Sequence, residues 1–425
     1  MKYLLMTVFF IWGYLPKGWS QGDLLTKAAL EFQDKEYAQA LANAKKVVEN
    51  PGDLKPNRLA KAYAIIVKSS IELAKDSTYL KKFPHTYEEA YDALLKVNKY
   101  DEKKNFQEEL INYRIQLGQA LLIKANDQLI HQQCQEALNN IAKSDECFKA
   151  SGIEVYNTEM LRGFALNCTK QTADSMKAIT AFENALARYQ KTLDNPKTQP
   201  AYKEQLLKDK NIPAIYTQLI VLYASVKKDI DLATATLEKA KQKYSEDKGL
   251  QEAEFFLFQN PSLMNKAIST YEAKIQQNPN DANNYIRYAL LLEQKAKADE
   301  SAKLPEQEVE KSIDKAIELY KKAVNLAPNN ALAVFNLGVL YINKAAALEK
   351  IINDLPPDKE KETQELTQKK NNYLQQALPH MEKAHALEPK NVTVIKSLFN
   401  IHAVLGDLDK AKIYRQKLAE LGAMD

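Results

Sequence analysis

The sequence predicts an all-α chain of about nine stacked helix pairs, and three observations predict it. Glycine is scarce, 11 residues in 425, against roughly 30 at an average usage of about 7%, so a sheet protein with many tight turns is excluded. Ala, Leu, Lys, Glu and Gln dominate, and all are good helix formers. One figure of small and large side chains recurs along a chain too long for a single compact core, which favours a repeat array.

The first element is an address rather than a helix pair. MKYLLMTVFFIWGYLPKGWS sets Lys2 before an apolar run from Tyr3 to Leu15, followed by Pro16 and the small residues Gly18 and Ser20. This is the pattern of a secretory signal peptide over 1–20, cut after Ser20, and the run is shorter than the roughly 20 residues of a bilayer span. No other stretch of membrane length is expected. The mature protein is therefore expected outside the cytoplasm, periplasmic or extracellular, in a bacterial envelope. The full chain carries 59 basic and 55 acidic residues, and without Lys2 and Lys17 the balance is 57 against 55. So even a charge excludes steering onto nucleic acid.

The recurring figure is clearest at Ala316, Tyr320 and Ala323, one helix face closed by Pro328. Ala267, Tyr271 and Lys274 precede Pro279, and Ala377, Met381 and Ala384 precede Pro389, each proline twelve residues after its first alanine. After each proline comes a polar turn (Asn280-Asp281, Asn329-Asn330, Lys390-Asn391) and a second amphipathic helix. In AVFNLGVLY the stripe is Val334, Leu337, Gly338 and Tyr341, with Gly338 admitting a close neighbour. Ile395, Leu398, Leu405-Gly406-Asp407 and Ala411 repeat the pattern at the end of the chain. Near the start, Ala28, Tyr37, Ala40 and Pro51 do the same.

These residues resemble the tetratricopeptide repeat: a large residue, Leu, Gly or Ala and Tyr on one helix, then Ala, aromatic, Ala and Pro on the next. Ala233 to Ala267 and Ala377 to Ala411 are each 34 residues, the family period. Key alanines at 40, 90, 137, 178, 233, 267, 316, 377 and 411 mark nine second helices, with insertions at most of the wider spacings. The resemblance implies a right-handed α-α superhelix. Its expected divisions are divergent repeats over 21–195, a proline-bracketed joint over 196–212 (Pro196, Pro200, Pro213) and regular repeats over 213–425. The stretches after Leu292 and Tyr341 stay rich in Ala, Lys, Glu and Gln, breaking only at Leu304-Pro305 and Leu355-Pro356-Pro357. Both are expected to form long hairpins, the second lined by Leu348, Ile351, Ile352, Leu355 and Leu366.

The family resemblance also implies that first helices line a groove for polypeptide partners. The residues placed there are Asn283, Ile286, Arg287 and Leu290, then Leu332, Phe335, Asn336 and Val339, then Thr393, Lys396 and Asn400. The family's clamp for acidic C-termini is not reproduced, since Arg287 precedes Asn336. Asn336 also stands where ordinary repeats use Asn for packing.

Cys134, Cys147 and Cys168 are odd in number. Helix ends that meet make Cys134 to Cys168 the best-placed bridge; the alternative is three buried thiols. Cys134 and Cys147 are thirteen residues apart, about 20 Å along one helix, too far to bridge. His131 and Cys134 stand three apart without a second ligand pair, so no metal is expected. No phosphate loop, HExxH, CxxC or GxSxG occurs, and no catalytic residue or cofactor is assigned. The expectation is a non-catalytic scaffold or adaptor for exported or outer-membrane proteins, with a periplasmic chaperone or carrier for unfolded clients as the second reading.

Overall fold

The computed structural model describes residues 20–423, so the signal peptide assigned to 1–20 lies, apart from Ser20, outside the described residues. Two compact units divide the chain, residues 1–236 and 237–425. Among the described residues every regular element is a helix.

In the first unit α1 (Gln21–Gln33) pairs with α2 (Tyr37–Glu49). The next first helix, α3 (Pro56–Leu73), is followed by the short α4 (Ser77–Lys82) and pairs with α5 (Thr86–Tyr100). Then α6 (Ile111–Ile130) pairs with α7 (Cys134–Ala150), and α8 (Tyr156–Cys168) with α9 (Thr172–Asp194). Within the proline-bracketed stretch 196–212 lies α10 (Pro200–Leu207), held to α9 by the Tyr189 hydroxyl donating to the Leu206 carbonyl at 3.2 Å. Next comes α11 (Asn211–Leu222), which packs on α9 and ends in a π-turn over Tyr223–Lys227. The unit boundary falls inside α12 (Ile230–Tyr244).

The second unit continues with α13 (Lys248–Phe258) and α14 (Met264–Gln277), then pairs α15 (Ala282–Ser301) with α16 (Glu306–Leu326). Two further pairs follow, α17 (Ala331–Asp354) with α18 (Glu360–Leu387) and α19 (Val392–Val404) with α20 (Leu408–Glu420). The long hairpins lie where the sequence places them: α15 and α16 turn at Ala302 to Pro305, α17 and α18 at Leu355 to Lys359.

Side-chain size explains the pairing. The nine key alanines sit on α2, α5, α7, α9, α12, α14, α16, α18 and α20, and none is more than 5% exposed. A methyl group there lets two helix backbones approach and costs no side-chain entropy. Gly338 plays the same part from the facing helix, since a Cβ on it would lie 2.8 Å from Met381 Cε. Gly163 is tighter, with Phe182 ring atoms 2.6 Å from the place of a Cβ.

The polar turns after the repeat prolines are helix N-caps. Asp281 accepts from Asn283 N at 3.0 Å, Asn330 from Ala333 N at 3.1 Å and Asn391 from Thr393 N at 3.1 Å, each satisfying a free N–H at the start of a first helix. Inside the pairs the turn is closed by a left-handed residue. Lys35, Gln132, Lys170, Lys228 and Lys303 take φ between 55° and 64°, and Gly406 takes 82°. The chain mostly makes these turns with lysine, which is how it turns so often with so little glycine.

One expectation is corrected. By length and composition α17 is apolar enough to cross a membrane, although no such stretch was expected after residue 20. Its apolarity is used inside the protein: Ala333, Val334, Leu337, Leu340 and Tyr341 are buried in the core of the second unit. Lys344, on the same helix, bonds to Asp314 and Glu310 of α16.

Candidate functional site

The candidate docking face is built from the first helices of the second unit, whose other sides are consumed by packing. On α15 the core takes Tyr285, Tyr288, Ala289 and Leu292; on α17 it takes Val334, Leu337 and Tyr341; on α19 it takes Val394, Leu398 and Ile401. Turning each helix by about 100° per residue leaves a strip pointing away from that core.

Of the eleven residues assigned to the groove, five are exposed: Asn283 on α15, Leu332 on α17, and Thr393, Lys396 and Asn400 on α19. Leu332 is 50% exposed, a large apolar side chain that the fold leaves uncovered. Leu290, Phe335 and Val339 are half-buried and pack against the core cluster. They form the base of the strip rather than its surface.

Three assignments change. Ile286 is 4% exposed and belongs to the core cluster of the second unit. Arg287 is engaged within the unit: it donates to the Gln251 carbonyl at 3.2 Å, pairs with Glu252 and lies 5.5 Å over the Phe255 ring. It ties α15 to α13, and a partner carboxylate would have to displace Glu252. Asn336 donates to the Tyr320 hydroxyl at 3.0 Å, and Tyr320 in turn donates to Glu293 at 2.6 Å. Burial raises the Glu293 carboxyl above its ordinary value, with the Tyr320 hydroxyl opposing. Burial and the Glu293 charge push Tyr320 up as well. Asn336 is therefore part of the joint between α16 and α17.

A cleft of about 710 Å³ opens on another side, between α14, α15 and α16, floored by Ile268, Tyr288 and Leu292. Its charges are largely spent on one another. Lys295 pairs with Asp299, Lys315 with Glu318, and Asp314 and Glu310 with Lys344. Among the described residues no group of three or more His, Cys, Asp or Glu side chains is placed to hold a metal ion.

In the first unit the cysteines meet as helix ends. Cys134 opens α7, Cys168 closes α8, and the two form a disulfide with Cα atoms 5.8 Å apart. Cys147 is free and buried; burial and the nearby Glu146 push its thiol up to about 12, against the Arg114 guanidinium. The charge network beside them escaped sequence reasoning. Arg188 of α9 reaches Glu159 at 2.9 Å and Thr158 at 3.0 Å, and Arg162 bridges Glu159 at 2.5 Å and Asp145 at 3.2 Å. Burial raises the Asp145 carboxyl, but Lys149 and Arg162 outweigh it and leave it below the ordinary value. Only spacing could have signalled the network. Asp145, Glu159 and Arg188 fall on three successive helices, too far apart for a local pattern to link them.

Residues 310–344 match the family model described as TPR repeat. That segment holds Ala316, Tyr320, Ala323, Leu337 and Tyr341, all in the core cluster of the second unit, together with Gly338 and with Pro328 in the exposed turn after α16. Over these residues the chain carries a tetratricopeptide repeat. No curated protein matches it. Solved structures similar to it include YrrB, a TPR protein with an unusual peptide-binding site: 16% identity, TM-score 0.32, covering 54% of this chain and 94% of that one. The human IFIT1 dimer with m7Gppp-AAAA is 14% identical with a TM-score of 0.27, covering 85% of this chain and 90% of that one. A yeast TPR2AB domain in complex with pHSP90 is 16% identical with a TM-score of 0.24, covering 70% and 98%. The repeat assignment rests on the matched segment and its buried side chains, not on these low-scoring superpositions.

Proposed function

We propose that this protein is a non-catalytic scaffold that docks polypeptide partners on the first-helix strip of its second unit. The observation that carries the proposal is the strip itself. Asn283, Leu332, Thr393, Lys396 and Asn400 are exposed on helices whose core-facing sides are packed. Amides and a hydroxyl pair with an extended peptide backbone, and Leu332 offers an apolar anchor among them. The α17 to α18 hairpin, with Ile351 41% exposed, is a second contact in this proposal.

The leader-like first twenty residues support a site of action in the cell envelope, with exported or outer-membrane proteins as partners. The test is affinity capture from an envelope extract with the chain lacking residues 1–20. A few stoichiometric partners, lost when Leu332→Glu and Asn400→Asp are combined, support the proposal. Many substoichiometric clients point to a chaperone instead, and capture unaffected by the double substitution rejects the strip. Recovery of exported protein with Met1 intact would reject the cleaved leader.

A further inference from the structure

The last helix pair holds a cluster of ionisable side chains that the docking strip does not use. His402 on α19 is 1% exposed; its Nδ1 lies 3.3 Å from Asp407 Oδ2, and its Nε2 is buried without a partner. Its ring stacks on Tyr414 of α20, centroids 5.6 Å apart and planes within 10°. His385 on α18 meets the same Tyr414 edge-on at 5.7 Å. The His385 Nε2 lies 2.8 Å from Lys417 Nζ, and its Nδ1 is buried without a partner.

The Lys417 contact sets the tautomer of His385. An ammonium only donates, so His385 Nε2 accepts from Lys417 and the ring is neutral, with its proton on Nδ1. His402 Nδ1 faces the Asp407 carboxylate at 3.3 Å, and its Nε2 has no partner inside the protein. Asp407 is also the N-cap of α20, accepting from Lys410 N at 3.2 Å. Both ends of α20 are thus tied to imidazoles: its start through Asp407 to His402, its third turn through Tyr414 and Lys417 to His385. The other charges nearby are Lys410, 3.7 Å from Asp407 and 3.9 Å from Glu382, and Glu382 itself, whose charge is felt by Tyr414. Among the described residues, the polar partner of His385 is a cation.

We propose that α20 is an acid-released latch: proton uptake by His385 sets an imidazolium against the Lys417 ammonium, and α20 leaves α18 and α19. Release uncovers the surface that Ala411 and Leu418, both buried, now cover. It exposes apolar side chains at the end of the repeat stack and so couples pH to what that end can bind.

The electrostatics agree in sign. Burial and the Lys417 charge hold His385 below its ordinary value of 6.5. A histidine with a depressed folded value stabilises the docked state above the unfolded value, and that contribution is lost as pH falls through the folded one. For a ring barred from protonation while docked, the shift from pH 7.5 to 5.0 favours release by up to about 30-fold. His380, also on α18, faces Lys321 and stacks on Tyr341 of α17 instead, so it reports on a different joint.

Amide hydrogen exchange of the full chain at pH 7.5 and 5.0, corrected for the intrinsic pH dependence of exchange, tests the latch. Peptides of α20 should exchange roughly tenfold to 30-fold faster at pH 5.0 while those of α15 and α16 hold their protection. His385→Gln keeps an acceptor for Lys417 but cannot titrate, and it should cut the response severalfold. Lys417→Gln removes the opposing charge and should weaken it too, giving a second variant if the first folds poorly. Equal protection of α20 at the two pH values, or an undiminished response in both variants, overturns the proposal.

Discussion

Glu254 shows how single residues hold neighbouring second helices together. It is 2% exposed, and its two oxygens take Lys241 of α12 and Lys274 of α14, each at 2.5 Å. Burial raises the carboxyl, yet the two lysines outweigh it and hold it below its ordinary value of 4.5. The folded value is the lower one, so the stabilisation is present above about pH 4.5 and lost as pH falls through the folded value. Glu254→Gln should destabilise the second unit by about 3 kcal/mol at pH 7, near the low end for a broken buried pair because both lysines reach water. Urea titrations at pH 7 and pH 3 check this, and the difference from the unsubstituted chain should shrink at the lower pH. The glycines give a second residue-scale prediction. Gly163→Ala drives a methyl into the Phe182 ring and should cost about 1 to 3 kcal/mol, whereas Gly338→Ala meets the flexible end of Met381 and should cost less. Thermal melts of the two variants compare them directly.

At the scale of elements, the disulfide joins the start of α7 to the end of α8 across a sequence separation of 34. Closing a loop of that size removes unfolded-state entropy worth about 3 to 4 kcal/mol. Cys134→Ser with Cys168→Ser should lower the stability of the first unit by that order, read as a loss of denaturation midpoint in non-reducing buffer. The lysine turns make a prediction of opposite sign. Lys303 sits at φ 55° between α15 and α16, where an L side chain costs about 1 to 2 kcal/mol and glycine about nothing. Lys303→Gly should therefore raise stability by roughly 0.5 to 1 kcal/mol, after the glycine's own entropy loss.

For the whole molecule, side-chain size was the legible quantity. An alanine twelve residues before a proline is a local pattern, and it located three of the second helices, α14, α16 and α18, where a methyl group at a helix crossing lets the backbones approach. The polar turn after each proline likewise announced a cap. The exposure of the residues assigned to the groove was legible on α19, where Thr393, Lys396 and Asn400 are all exposed, and only in part on α15 and α17. Ile286, Arg287 and Asn336 were misplaced for one reason. A helix flanked on two sides has a narrow free strip, and its edges depend on neighbours from other repeats. Glu252 and Phe255, which claim Arg287, come from α13, a helix whose register no local spacing reveals, while Tyr320, which claims Asn336, lies on a face the spacing did show. The apolar α17 raised the converse problem, since membrane length and core length are alike in composition.

The proposed docking requires stacked helix pairs that present a first-helix strip to polypeptides. Photo-crosslinking tests it most directly, with a photoreactive residue placed in turn at Asn283, Leu332 and Asn400, and as controls at Lys322 and Lys383, exposed on the second helices α16 and α18. Crosslinks to captured partners at the three strip positions, and few at the controls, are the predicted result. Partner crosslinks at Lys322 and Lys383 with none on the strip would contradict it.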